Sequence, residues 1–141
     1  MKKLIFTFLL LVVLLLPSFA VTGEAAKGTA EVIGGPARTY DTALVYPNPF
    51  NPGHNKEVVI QYRLSKNLNV DIYLISISGQ RIKKLSYDSG AKGGRAGLNK
   101  VTWDGSTDFG GIAANAIYLG TIVNRDDDSL LDIFKLIVRT L

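Results

Sequence analysis

Apolar and polar positions alternate along most of the chain beyond residue 43. Val58, Ile60, Tyr62 and Leu64 are interleaved with Val59, Gln61 and Arg63, the period of two that marks a strand with one face buried. Val70, Ile72 and Leu74 repeat the pattern after a Ser65-Lys66-Asn67 turn. Ser78-Gly79 then breaks the chain, and Arg81 to Tyr87 predicts another strand. Its apolar residues Ile82 and Leu85 stand three apart, so this strand is either bulged or packed on both faces. Leu98 to Trp103 alternates again, with Val101 and Trp103 on one side. Ala116 to Val123 and Leu131 to Val138 are two long apolar runs, and the polar Asn124 to Ser129 between them reads as a hairpin loop. With Leu44–Tyr46 the tally is seven strands over residues 44–141, and no segment shows sustained helical spacing with caps. The chain is predicted to be all-β, a sandwich of two antiparallel layers.

The beginning of the chain reads differently. Lys2 and Lys3 precede an apolar run from Leu4 to Leu16, interrupted only by the uncharged Thr7, and Ser18-Phe19-Ala20 supplies a small-x-small exit. A basic start, a short apolar run and such an exit predict a secretory signal peptide over residues 1–20, cleaved after Ala20 or slightly later. At a helical rise the run reaches about 20 Å, short of a hydrocarbon core of about 30 Å. The mature protein is therefore expected to be exported, to the periplasm, the cell surface or beyond, and to meet a membrane only through its signal peptide. Residues 21–43, rich in Ala, Gly and Thr, read as a flexible linker, and the domain is expected to span 44–141.

Export changes the charge argument. The whole chain carries 16 Lys and Arg against 12 Asp and Glu; loss of residues 1–20 removes two Lys, leaving 14 against 12, or +2. The basic residues are scattered, and only Arg81, Lys83 and Lys84 cluster, without interleaved aromatics. Nucleic acid is not an expected partner. Composition also narrows the chemistry: zero Cys excludes disulfides, thiolate metal sites and Cys nucleophiles, and a single His leaves no His-rich zinc site.

Two motifs are more specific. In Tyr46-Pro47-Asn48-Pro49-Phe50-Asn51-Pro52, three prolines fix φ and push the residues before them into extended conformations. Lacking N–H donors there, the segment cannot be a central strand; it is expected to run along an edge and to plant Phe50, with Tyr46 as a second candidate, into the end of the sandwich. The other motif is Asn99 to Gly105, in which Trp103 ends a strand and Asp104-Gly105 turns the chain, followed by Asp108-x-Gly110 and Ala116-Ile117-Tyr118. Together with Ile60 to Leu64, Ile72-Tyr73, the Gly79-Gln80 turn and the terminal Lys135 to Arg139, these motifs resemble the immunoglobulin-like domain of the flagellar hook-capping family. They are also similar to the C-terminal sorting domains of type IX secretion cargo. The resemblance covers about residues 44–141 and implies an immunoglobulin-like β-sandwich of about seven antiparallel strands. Its departures are Ala116, where the family usually has Gly, and Ser65, where it commonly has Pro. Only a signal peptide and linker precede the domain, so a hook-capping role itself is not expected.

The remaining candidates for chemistry are weak. Asp126 and Asp128, in an Asp-Asp-Asp run, are candidate Ca²⁺ ligands, but a solvated hairpin tip accounts for them. Asp104 and Asp108 are the closest to a carboxylate pair, although Asp104 in a Trp-Asp-Gly corner is expected to accept backbone N–H bonds instead. Gly90-x-x-Gly93-Gly94 lacks the Gly-Lys-Ser/Thr ending and helix of a phosphate loop. His54 lies in a turn with no acid beside it; Tyr62, Tyr73, Tyr87 and Tyr118 are candidates for an aromatic patch, with core packing expected for most, Tyr62 on the core side, and Tyr73 and Tyr118 left open between the two readings. No catalytic or cofactor-binding residue is expected. The resemblance implies an exported, non-catalytic module whose partner is protein of a secretion or cell-surface assembly, presenting a sheet edge or the C-terminal strand Leu131–Leu141. The alternative is a free-standing structural or adhesion module, or a remnant of a larger extracellular protein, without a sorting role.

Overall fold

A computed structural model describes residues 36–140; the expected signal peptide, residues 21–35 of the expected linker, and Leu141 lie outside the described residues. Seven strands follow one another: β1 (Leu44–Tyr46), β2 (Val58–Leu64), β3 (Val70–Ser76), β4 (Arg81–Tyr87), β5 (Gly97–Trp103), β6 (Ala116–Asn124) and β7 (Ser129–Val138). They form two antiparallel sheets, β1-β2-β5 and β4-β3-β6-β7, packed as an immunoglobulin-like sandwich. In the constant-type immunoglobulin arrangement the fourth strand joins the sheet of the first two. Here β4 instead pairs with β3, from Val70 opposite Tyr87 to Ile75 opposite Arg81.

The period of two decides which side chains fill the space between the sheets. Val58, Ile60, Tyr62 and Leu64 of β2, Val70, Ile72 and Leu74 of β3, and Val101 and Trp103 of β5 are all buried. From the other half come Tyr118 and Ile122 of β6 and Phe134, Leu136 and Val138 of β7. The irregular spacing in β4 is a bulge: Leu74 pairs with Lys83 and Ile75 with Arg81, so Ile82 is the extra residue and the only fully buried one of its strand. A second register shift lies between Ile122 and Val123, where β7 carries the additional residue Leu131.

The domain begins earlier than Leu44. Thr39 bridges Leu64, Tyr40 N–H donates to Arg63 O and Ser65 N–H to Arg38 O, both at 3.1 Å, and Ala43 is buried. Their sequence reads as linker because it lacks a hydrophobic period. Their place is set by backbone hydrogen bonds to the edge of β2, which need no side-chain pattern.

Candidate interaction site

The proline-rich ribbon carries the chain from one sheet to the other. It leaves β1, which pairs with β2, and ends with Phe50 in a parallel bridge to Val138 of β7. Phe50 N–H donates to Ile137 O at 2.8 Å, and Arg139 N–H donates to Phe50 O at 2.9 Å. The Tyr46–Pro47 and Asn48–Pro49 peptides are cis. The Phe50 side chain is fully buried against Trp103, with ring centroids 5.9 Å apart at 49°. Tyr46 does not act as a second plug. It is 41% exposed and its hydroxyl meets Gln61, because along β1 it is Val45 that turns toward the core.

The Trp-Asp-Gly corner closes the same end. Trp103 Nε1–H donates to Ser106 O at 2.8 Å, and Asp104 Oδ1 accepts the Ser106 N–H at 2.9 Å. Hydrogen bonds from the Ser106 side chain and backbone hold the Asp104 carboxyl below its usual range. Gly105, at φ 92°, is buried where a Cβ would come within 3.1 Å of Pro52 and 3.2 Å of Phe50. Asn51 Oδ1 accepts the Gly53 N–H, which starts the turn that carries Pro52. The two motifs therefore form one joint, made of packing and backbone bonds.

That joint also closes an edge. Along β7, Leu131 O accepts the Thr39 hydroxyl, Lys135 O accepts from Asn48 Nδ2, and Ile137 N–H donates to Asn48 Oδ1. Asp132 Oδ1 takes the Ile133 N–H, while its other oxygen accepts the Ala43 N–H. The expected presentation of the C-terminal strand along its free edge is thus corrected for most of its length: the chain's own residues 39–50 occupy that edge. These partners lie 87–92 residues apart, so no local pattern announces the cap.

What β7 and its neighbours leave open is a face. Side chains that alternate with the core residues of β3, β6 and β7 point away from the sandwich. Ile75 stands opposite Leu119, and Ile117 opposite Ile137, with Ile133 opposite Thr121. Ile117, Leu119 and Ile133 are 43%, 44% and 49% exposed. Direct cross-strand pairing joins Ile75 to Leu119 and Ile117 to Ile137, while Lys135 stands opposite Leu119 between Ile133 and Ile137, so the aliphatic face is interrupted by one exposed cation. An outer sheet face that meets only water is ordinarily polar. The sequence carried one signal of this: the unbroken apolar runs in β6 and β7.

The other end of that face is polar and built around Asp71, whose Oδ2 is hydrogen-bonded while its buried Oδ1 has only the Arg125 charge beside it. Asp71, 2% exposed, pairs with Lys84 Nζ at 2.8 Å and Arg125 Nη1 at 3.6 Å, and accepts the Tyr73 hydroxyl at 3.1 Å. Arg125 also pairs with Asp88 at 2.7 Å, and Lys84 and Arg81 lie over the Tyr73 ring. Burial pushes the Asp71 carboxyl up, but hydrogen bonds from Lys84, Ser86 and Tyr73 outweigh it and leave it below the usual range. A carboxyl lowered by folding contributes stability that is present above its unfolded value of about 3.9 and is lost as pH falls through the folded one. Asp71→Asn is therefore expected to lower Tm at pH 7 and to make its decline below about pH 4 shallower than in the parent, in thermal melts from pH 7 to 2.

The remaining candidates are placed as follows. Asp126 Oδ1 accepts from Asn69 and Asp127 Oδ1 from the Ser129 N–H, while Asp128 turns the hairpin at φ 56°. Among the described residues no group of three or more metal-ligating side chains converges. Asp108 is not paired with Asp104: it accepts the Lys84 N–H at 2.9 Å and lies 3.6 Å from Lys83. Gly79 sits in the β3–β4 turn with its N–H on Ser76 O. His54 is exposed and, with Asn51, Asn55 and Arg139, lines an open depression of about 620 Å³. Gly93 belongs to the core's lid, since Tyr62 donates its hydroxyl to Gly93 O at 2.6 Å and burial pushes that phenol up. Tyr118 is buried, its hydroxyl on Ala114 O.

No family model matches the chain, and no curated protein matches it. Solved structures do. The chain is similar to a region of dimeric latent PorU from Porphyromonas gingivalis, with a TM-score of 0.58 and 15% identity, over 77% of this chain and 10% of that one. PorZ, described as an essential bacterial surface component of the type IX secretion system of the same organism, aligns at a TM-score of 0.48 and 15% identity, over 69% and 11%. An immunoglobulin-like protein from Pseudomonas aeruginosa aligns at 0.39 and 12% identity, over 75% and 94%. The chain thus spans about a tenth of the length of PorU and PorZ. The likeness to PorU is one of fold.

Proposed function

We propose that this chain is an exported, non-catalytic β-sandwich that works by docking to protein of a secretion or cell-surface assembly. The single observation that carries the reading is the aliphatic outer face of the four-stranded sheet, Ile75, Ile117, Leu119, Ile133 and Ile137. Ile117, Leu119 and Ile133 are exposed and Ile75 and Ile137 half-buried, and a partner that covers them gains about 25 cal/mol for each Å² of apolar surface removed from water. The motif resemblance to type IX sorting domains supports the choice of assembly, and the fold shared with a region of PorU is compatible with it.

The test fuses residues 21–141, the chain beyond the expected signal peptide, behind a secreted reporter in a type IX-competent host. The reporter is expected outside the cell or on its surface. It should be retained in the periplasm when Leu119 and Ile133 are both changed to Glu, exposed sites at which the folded domain's Tm should move little. A parent fusion that stays periplasmic overturns the sorting reading. A double variant that is exported like the parent overturns the role of this face.

A further inference from the structure

Among the described residues, one sheet edge has neither a strand nor a cap. In an antiparallel pair, alternate residues of a strand direct their N–H and C=O groups to one neighbour and the residues between direct theirs to the other. Arg63 O and Ser65 N–H bond to Tyr40 and Arg38, on the β1 side of β2, so the odd-numbered residues of β2 face that side. The even ones, Val58, Ile60, Tyr62 and Leu64, then bond to Trp103, Val101, Asn99 and Gly97 of β5. The backbone groups of Leu98, Lys100 and Thr102 consequently point away from the sheet. None of them makes a hydrogen bond among the described residues. The other edges differ: β7 is capped by residues 39–50, β1 has three residues, and on β4 Asp108 occupies both Ile82 O and Lys84 N–H.

The Leu98–Lys100 part of the same edge is basic, whereas Thr102 at its far end lies beside Glu57 and Asp104. Lys92, Arg95 and Lys100, with the partly exposed Leu98, line a depression of about 520 Å³ beside β5 that contains no acid. None of the three cations forms an ion pair among the described residues, whereas Lys83, Lys84 and Arg125 all do. A lysine on a sheet edge repels indiscriminate strand pairing. A second copy of this chain pairing edge to edge about Lys100 would stack one ammonium on another. An acidic segment meets the opposite condition.

The geometry points to β5 as a strand-addition site for an extended segment of a partner protein in which acidic residues alternate with apolar ones. The open N–H and C=O groups of Leu98, Lys100 and Thr102 supply the ladder. Lys92, Arg95 and Lys100 select for carboxylates on the outer face of the added strand, the face on which Lys100 stands. The inference rests on the reading of the chain as an interaction module, but it concerns an edge rather than the aliphatic face and needs no type IX host.

The experiment titrates the purified exported chain, ¹⁵N-labelled, with a synthetic peptide of about eight alternating Val and Glu residues, about one strand's length. Binding is expected to shift the amides of Leu98, Lys100 and Thr102 and to slow their hydrogen exchange. The double variant Arg95→Glu, Lys100→Glu should weaken it by about tenfold or more, with Tm checked to show that the domain remains folded. The same peptide N-methylated along one edge should lose a comparable factor, which simple charge attraction would not produce. Equal binding of a Val/Lys peptide, unchanged binding of the N-methylated one, perturbation confined to the outer face of β3-β6-β7, or self-association through β5 that excludes the peptide would each overturn the assignment. No peptide binding, with export still dependent on Leu119 and Ile133, would remove the β5 site and leave the docking reading intact.

Discussion

Trp103→Ala is expected to lower the unfolding free energy by about 3–5 kcal/mol, the range for truncating a large buried aromatic ring. The indole is 2% exposed, stacks obliquely on the fully buried Phe50 and fastens the corner through Ser106 O. Against a total of about 5–15 kcal/mol, the loss leaves the domain marginal or unfolded. Phe50→Ala should cost a similar amount, and the double variant less than the two together by about 0.5–3 kcal/mol, because the rings share one cavity once either is removed. Trp103 is the only tryptophan, so its variant has to be followed by far-UV circular dichroism in urea, with the midpoint falling at unchanged slope. A loss below about 1 kcal/mol would mean that the indole is not part of the packed interior.

Gly120→Ala is the second large effect, and it comes from the opposite fault. Gly120 of β6 stands opposite Phe134 of β7 on the inner side of the sheet, and a methyl group built there overlaps the Phe134 ring. The ring is 5% exposed, so moving it aside displaces a buried group. Overpacking of this kind costs about 1–3 kcal/mol, here toward the upper end because the obstructed group is a ring. The distinguishing expectation is recovery: Phe134→Leu on the Gly120→Ala background should regain part of the lost Tm, although Phe134→Leu alone is destabilising. A Gly120→Ala protein that melts like its parent would show that the ring moves aside freely.

These two effects differ in how far the sequence announced them. An isolated tryptophan ending an alternating strand, just before Asp-Gly, marks itself as a candidate for burial. Gly120, inside a run of apolar residues, does not, since nothing local indicates which side chain on another strand will fill the space above it. The same division runs through the candidate surfaces. Asp104 as a corner residue could be inferred from its neighbours, because the atoms that satisfy it lie two residues away. The Asp71 network could not, since it draws on Lys84, Asp88 and Arg125 from three other segments.

By itself the sequence determined the strands, their inward faces and the two turn motifs, because side-chain alternation, proline and glycine act over a few residues. It could not determine that β4 would join β3's sheet alone, that residues 38–43 would belong to the domain, or that the edge of β7 would be filled by the chain's own first segment. Each of those depends on which backbone groups meet across tens of residues, where the hydrogen-bonding group is the same for every amino acid and leaves no mark in composition. The period of two likewise says which residues share a face, but not whether anything covers it. Only the assembled sheets show that, among the described residues, Leu119 and Ile133 are left uncovered and the edge of β5 unpaired.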